Sequence, residues 1–349
     1  MATPQPHEAK GMPILVQEEK VVEAFGALKC PKLIAQISQE NNTVLRNNAL
    51  KVLCEELRNP YSASGVTNVG AVPVLTSLTT KSEDKNTREN ASKALAAIAV
   101  DSNGRASMIK EDAPGQVLSA ISDSSPVVRS NVYEALQSLS CVRAGVSALV
   151  AAGYAPALVA KAKSEADDVR HQPLQLLLAC IKNDEGLTQA LDSEAVSACI
   201  GNLEHKSTLV RTAAAGCLGY LAFADSAKIA AIQEDAVPLL GSMLEDSFWK
   251  VRAAAAGALM SIIQTDAGKK ALVPAGAVPK LIKLLKDPND LVKINVLKTI
   301  ACAAVHPDAR KEMRESSDCL PVVHQIMDAG DELLSKHAKI AREAVLWQP

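Results

Sequence analysis

The residue types that most often carry out chemistry lie along this chain without the spacings that catalysis or metal binding needs. A zinc site needs Cys or His pairs a few residues apart, and a phosphate-binding loop needs G-x-x-x-x-G-K-S/T; neither pattern occurs, nor does H-E-x-x-H or G-x-S-x-G. The residues concerned are His7, His171, His205, His306, His324, His337, Cys30, Cys54, Cys141, Cys180, Cys199, Cys217, Cys302 and Cys319. We therefore expect no catalytic residue, no metal site and no cofactor, and we predict that the protein is not an enzyme.

Composition and charge exclude other classes of protein. The formal net charge of −2 lacks the basic excess of a nucleic-acid-binding protein. No apolar run approaches the ~18 residues that a membrane span needs, and the first residues do not form a basic-then-apolar signal sequence. We expect a cytosolic protein that binds neither nucleic acid nor membrane, whose cysteines are reduced and mostly buried.

A basic side chain does recur at a fixed spacing, once every 41 or 42 residues. A period in this range is typical of helical repeats of the armadillo and HEAT kind. The positions are Arg46, Arg88, Arg129, Arg170, Arg211, Arg252, Lys293 and, with the base lost, Ser335. The period predicts an all-α protein, a right-handed α-solenoid of about eight repeats.

An aspartate six residues before some of these basic positions predicts ion pairing along the stack. Each basic side chain would reach an acidic group or the last carbonyls of a neighbouring helix. The predicted inter-repeat ladder comprises Asp123, Arg129, Arg170, Arg211, Asp246, Arg252, Asp287 and Lys293. We interpret it as structural; the alternative is that the arginines are available to a partner.

The helices that position these groups can be predicted from the same period. Val251, Ala255, Ala258 and Leu259 form one face of an amphipathic helix, and a proline opens the preceding helix in nearly every repeat. We predict a disordered tail over 1–13 and one solenoid over 14–349, capped at both ends. Pro173 should shorten or kink the third helix of its repeat.

Three helices per repeat, with Gly276-Ala277-Val278-Pro279 opening the second, resemble the armadillo family. The resemblance implies a concave groove lined by third helices, which in nuclear-import adaptors carries regularly spaced Trp and Asn that hold basic peptides. The Trp positions here hold Lys51, Lys93, Glu134, Gln175, Gly216, Gly257 and Lys298, and the Asn positions hold Glu55, Ala97, Ser138, Ala179, Tyr220, Ser261 and Cys302. Import of basic cargo is therefore disfavoured.

Two surface features are candidates for an interface. Lysines are dense in repeats 6 and 7, with Asp287 and Asp290 opposing them, and Phe248-Trp249 is an aromatic pair in a chain with few aromatics. The candidate interface residues are Tyr220, Phe248, Trp249, Lys269, Lys270, Lys280, Lys283 and Lys286. A solvated helix face for the lysines and packing against an adjacent turn for the aromatic pair are the alternatives.

Several stretches resemble the armadillo-repeat proteins of the radial spoke of motile cilia. They are 24–28, 125–133 and 344–349. The resemblance implies a structural subunit in the ciliary axoneme, in a stable complex with other radial spoke proteins on doublet microtubules, that contributes to the regulation of dynein-driven beating. The alternative is a soluble adaptor that binds linear peptides for transport or signalling.

Overall fold

A computed structural model of the chain describes residues 28–39, 41–329 and 331–348. These ranges are helical, with no β-strand among them. The predicted tail, residues 1–13, and the first residues of the predicted solenoid lie outside the described residues.

The helices follow one another in units of three, and the prediction of an all-α solenoid is confirmed. The first helices of the units are α3 (Pro60–Thr67), α6 (Ser102–Lys110), α9 (Arg143–Ala151), α12 (Asp184–Asp192), α15 (Asp225–Gln233), α18 (Asp266–Leu272) and α21 (Pro307–Glu315). The second helices are α1 (Lys29–Gln39), α4 (Ala71–Lys81), α7 (Ala113–Val117, extended by a 3₁₀ helix, Leu118–Ser122), α10 (Tyr154–Ser164), α13 (Ala195–Ile200), α16 (Ala236–Met243), α19 (Ala277–Leu284) and α22 (Cys319–Asp328). The third helices are α2 (Thr43–Glu56), α5 (Lys85–Val100), α8 (Pro126–Leu139), α11 (His171–Cys180), α14 (Thr208–Leu221), α17 (Trp249–Ile262), α20 (Asp290–Ala303) and α23 (Glu332–Leu346).

Each third helix stacks on the third helix of the next repeat, so the third helices form one continuous layer of the solenoid. Second helices contact their counterparts less extensively, as α4 does α7 and α10 does α13. Small residues and leucines fill the space between the helices. Val251, Ala255, Ala258 and Leu259, the predicted apolar face of α17, are all buried. Since burial of apolar side chains is the main stabilising term in folding, the repeat period itself organises the core.

The turn into each second helix has a fixed geometry. The residue before the helix has a positive φ in six successive repeats. These residues are Gly70, Asp112, Gly153, Glu194, Asp235 and Gly276. Proline then stands in the first helical turn, as in α16 and α19, where its missing N–H leaves no hydrogen bond unmade.

Repeat 4 departs from this regularity. Its third helix, α11, has 10 residues, whereas α14, α17 and α20 each have 14. Pro173 is the third residue of α11, so the helix begins at His171 and leaves Arg170 in the preceding turn. The stacking of α11 on α8 and on α14 is less extensive than that of α14 on α17. The predicted shortening is therefore confirmed, with proline's missing N–H as its cause.

The predicted cap at the C-terminal end does not include Trp347, although this aromatic residue directly follows the last helix. Its side chain is 54% exposed and lies under the Arg310 guanidinium, 4.9 Å from the ring centroid. Arg314, on the same helix α21, donates hydrogen bonds to the carbonyl oxygens of Val345 and Trp347. The two arginines hold the end of α23 against α21, which draws the ring away from the core.

The cysteine side chains form no disulfide bond. All eight cysteines are free thiols; Cys180, Cys199, Cys217 and Cys319 are buried, and Cys141 is exposed. Within the described ranges, no group of three or more His, Cys, Asp or Glu residues is arranged to hold a metal ion. In the same part of the chain, no single helix is long and apolar enough to cross a membrane. Helices α9 and α10 have the required length and apolarity only when they are taken together, and the pair is bent by 79°.

Candidate partner-binding surface

The basic side chains of the third helices clamp neighbouring repeats together. Arg88 Nε donates to Asp123 Oδ2 at 2.7 Å, and its Nη1 donates to the carbonyl oxygens of Ser82 and Glu83 in its own repeat. Arg211 and Arg252 make the same contacts with Asp246 and Asp287 of the following repeats. Each guanidinium therefore ties the turn before its own helix to the corresponding turn one repeat later.

The aspartate six residues before a basic position serves the arginine of the preceding repeat. The Asp123 carboxylate accepts from Arg88, while its carbonyl oxygen accepts from Arg129 Nη1 at 2.8 Å. Its second carboxylate oxygen accepts the backbone N–H of Ser125, which shapes the turn into α8. One aspartate thus joins two arginines and a helix start.

Glu165 is the most buried acid of the ladder, with a side chain 2% exposed. It accepts from Arg129 Nη2 at 2.7 Å, from the Tyr133 hydroxyl and from the backbone N–H of Ala166. Burial alone would raise the pKa of Glu165, but the hydrogen bonds from Arg129 and Ala166 outweigh it, and the pKa lies below its ordinary value. Glu165 is therefore ionised in the folded protein.

This depressed pKa predicts a pH dependence of stability. A carboxyl group with a lower pKa in the folded state contributes stability in full above its unfolded pKa of about 4.3, and loses it as the pH falls through the folded value. We expect the free energy of unfolding, measured in urea, to decrease from about pH 5 to about pH 3. Glu165→Gln removes this contribution, so the decrease should be shallower in the variant. Identical slopes in the two proteins would contradict the assignment.

The ladder is interrupted between repeats 4 and 5, which corrects the prediction for Arg170. Its guanidinium donates to the carbonyl oxygen of Glu165 and reaches no acid of repeat 5, because His205 stands where the aspartate would be. The charges are reversed here: Asp167 of repeat 4 pairs with His205 and Lys206 of repeat 5. Hydrogen bonds from Lys206 and His205 lower the pKa of Asp167 to about 2.

Lys293 also departs from the predicted ladder. Its Nζ contacts Asp290 Oδ1 at 2.7 Å, three residues earlier on α20. The single ammonium group cannot fork between two turns as a guanidinium does, so it satisfies a local partner.

Four of the five lysines of the predicted patch pair with acids, and for three of these lysines the acid belongs to a neighbouring repeat. Lys280 and Lys283 both pair with Glu245, Lys286 pairs with Asp318, and Lys269 pairs with Asp266. Among the described residues, only Lys270 of the five candidates has no carboxylate within 4.0 Å. Lys269 and Lys270 lie on the first helix α18, Lys280 and Lys283 lie on the second helix α19, and Lys286 follows α19. The aromatic candidates Tyr220 and Trp249 instead lie on third helices.

Two of the aromatic candidates meet at a pocket on the third-helix layer. Tyr220 of α14 and Trp249 of α17 line an open pocket of about 580 Å³ that extends from α11 to α20. Phe223, 59% exposed, completes the aromatic rim and packs edge-on against Tyr220 at 5.1 Å. Leu209 and Leu291, both substantially exposed, lie at its edges. We call this site the aromatic pocket.

Phe248 does not line the aromatic pocket. It precedes α17, donates its backbone N–H to Asp246 and packs, partly buried, against the core. Lys250 lies above both rings of the pair, 5.9 Å from the Phe248 centroid and 5.6 Å from that of Trp249.

The floor of the aromatic pocket is formed by two glycines, which have no side chains to fill it. Gly216 and Gly257 occupy the third-helix position that carries Lys51, Lys93, Glu134, Gln175 or Lys298 in other repeats. A Cβ at Gly216 would lie 3.5 Å from Leu178, and one at Gly257 would lie 3.4 Å from Asn295, both ordinary contacts. Helix packing therefore does not require glycine at either position. Glycine in a helix costs roughly 1 kcal/mol relative to alanine, and its effect here is to open the surface.

Sequence reasoning missed Phe223, Leu209 and Leu291. Single exposed apolar residues are common, so none is distinctive alone. The available signal was the glycine pair at consecutive repeats, since Gly216 and Gly257 stand 41 residues apart at a position that is otherwise polar.

Comparison with known proteins agrees with this architecture. A family model for the HEAT repeat matches residues 236–265, which contain α16 and α17. A crystal structure of an engineered protein covers 92% of this chain and 79% of its own with a TM-score of 0.83 at 22% identity. A second engineered protein covers 67% of this chain and 98% of its own, with a TM-score of 0.62 and 22% identity. The chain therefore has the α-solenoid fold of helical-repeat proteins, and residues 236–265 match a HEAT repeat. At these identities the structural matches show the fold alone.

A curated relative adds information beyond the fold. Radial spoke protein 14 of Chlamydomonas reinhardtii is 30% identical to this repeat protein over 248 residues, which are 68% of the chain. The match spans 64% of the relative, somewhat less than two thirds of its length. The resemblance therefore extends over several repeats.

Proposed function

We propose that this repeat protein is a non-catalytic scaffold subunit of the radial spoke of motile cilia. The observation that carries the proposal is the 30% identity to radial spoke protein 14 over 248 residues. In this role the chain resides in the axoneme, binds other radial spoke proteins in a stable complex on doublet microtubules, and contributes through those contacts to the regulation of dynein-driven motility.

The architecture suits a scaffold. A stack of repeats exposes long continuous faces, so several partners bind at once without sharing residues. The ion pairs between repeats also fix the spacing between those faces. Permanent assemblies bury larger and more apolar interfaces than transient ones, and the third-helix layer offers exposed apolar residues such as Phe223.

Extraction of motile cilia tests the proposal. We expect the protein to remain with the axoneme after non-ionic detergent, and to be released by high salt together with radial spoke proteins, as detected by immunoprecipitation and mass spectrometry. A soluble ciliary protein such as a nucleotide kinase serves as the control for complete detergent extraction. Recovery of this chain in the detergent-soluble fraction would refute the axonemal role and favour a soluble adaptor.

A further inference from the structure

The lining of the aromatic pocket differs from that of the cavity between two earlier third helices. Tyr220, Phe223 and Trp249 are three of the nine aromatic residues of the chain, and all three line this one site. The cavity along α5 and α8 is lined instead by polar and charged side chains, among them Lys93, Glu134 and Gln137. Aromatic residues around a small-residue floor are the arrangement of a site that takes an apolar anchor.

Repeats 5 and 6, which contribute most of the aromatic pocket, also lack the amide side chains that hydrogen-bond between successive third helices. In repeats 2, 3, 4 and 7 an amide side chain two residues after the basic position bonds back to the previous third helix. Asn131 donates to the carbonyl oxygen of Glu89, and Asn295 donates to that of Ala253. In repeats 5 and 6 the same position holds Ala213 and Ala254, which line the pocket. Both the long side chains and the amides are therefore replaced by small apolar residues at the same two repeats.

The charges around the aromatic pocket indicate the sign of its partner. The four helices that form it, α11, α14, α17 and α20, contain one carboxylate, Asp290, which pairs with Lys293. Arg211 and Arg252 are neutralised by the ladder. Among the described residues, Lys250 at the rim and Lys298 have no carboxylate within 4.0 Å. The rim is thus positive and has no free acid.

We propose that the aromatic pocket binds an acidic segment of a partner protein that inserts an aromatic or large aliphatic side chain between Tyr220 and Trp249. Gly216 and Gly257 admit the anchor, and Lys250 pairs with a flanking carboxylate of the partner. Binding of such a segment depends on the residues of the pocket and does not require the axonemal role.

Designed peptides test the proposal on the full chain. Three fluorescein-labelled 12-residue peptides are compared by anisotropy: one with a central Phe flanked by Asp and Glu, one with Ala in place of that Phe, and one with the Phe flanked by Lys. We expect the acidic Phe peptide to bind about tenfold or more tighter than the Ala peptide, because a fully buried aromatic contributes roughly 1.5–3 kcal/mol, or 10- to 200-fold. The Lys-flanked peptide should bind more weakly, and salt should weaken the acidic peptide.

Substitutions inside and outside the aromatic pocket test whether the peptide binds there. Gly257→Lys restores the residue type of Lys93 and Lys298, fills the floor and should reduce the affinity for the acidic Phe peptide at least about tenfold. It should not unfold the protein, since lysine is a better helix former than glycine; circular dichroism checks this. Lys93→Gln changes the same helix position outside the pocket and should leave the affinity unchanged. Lys250→Glu should weaken the acidic peptide and strengthen the Lys-flanked one.

Three results would each overturn the proposal. They are no binding of the acidic Phe peptide at about 1 mM, equal affinity for the Phe and Ala peptides, and equal affinity of the wild type and Gly257→Lys. Equal affinity for the acidic and Lys-flanked Phe peptides would overturn the assignment of an acidic partner.

Discussion

Glu165→Ala should destabilise the protein by about 3–5 kcal/mol, the range found when one partner of a buried ion pair is removed. The substitution leaves the Arg129 guanidinium, 13% exposed, without its carboxylate. The Tyr133 hydroxyl and the Ala166 N–H lose their acceptor at the same time. Urea unfolding followed by circular dichroism measures the change.

A surface pair in the same region is the matched control. Lys163 and Glu194 also join consecutive repeats, at 2.8 Å, but their side chains are 43% and 75% exposed. Exposed pairs contribute about 0–1 kcal/mol, so Lys163→Ala should have little effect. If the two variants unfold at the same urea concentration, the Arg129–Glu165 pair does not have the structural importance that its burial implies.

Gly145→Ala should destabilise the protein by about 1–3 kcal/mol or more, as overpacking of a close contact does. A Cβ on Gly145 would lie 1.9 Å from the carbonyl oxygen of Leu139, a backbone atom that cannot rotate away. The helix α9 would have to separate from the end of α8. Gly104 and Gly186, 41 residues to either side, approach the preceding third helix in the same way.

The same substitution in the aromatic pocket should act in the opposite direction. Gly216→Ala places its Cβ at an ordinary 3.5 Å from Leu178, so the gain in helix propensity, about 1 kcal/mol, should stabilise the protein. Paired urea unfolding of Gly145→Ala and Gly216→Ala compares the two. Destabilisation by both would show that Gly216 is required for packing, and the floor of the pocket would then need another explanation.

The repeat was predictable because its signals are local. Proline in the first turn and Leu, Ala and Val at i, i+4 and i+8 specify each helix without reference to distant residues, as at Pro238 and Leu259. The shortening at Pro173 followed from the same local rule. The stacking of equivalent helices then follows from the period.

The site was less predictable because its contacts join residues far apart in sequence. Arg88 pairs with an acid 35 residues later, although Asp84 lies nearer in the sequence. Glu245 neutralises lysines of the following repeat, a contact that composition does not show. The aromatic pocket exists because Gly216 and Gly257 have no side chains. In the sequence this is visible only as glycine at a position where other repeats have a larger residue.

The interruption of the ladder between repeats 4 and 5 has a mechanical consequence. Arginine clamps link repeats 2 to 4 on one side and repeats 5 to 7 on the other. Among the described residues no arginine–carboxylate clamp joins these blocks. The ion pairs between them, Asp167 with Lys206 and Lys163 with Glu194, are exposed to solvent and screened by salt, beside the shortened α11. We expect the solenoid to bend more readily at this junction than at the junctions that carry an arginine clamp.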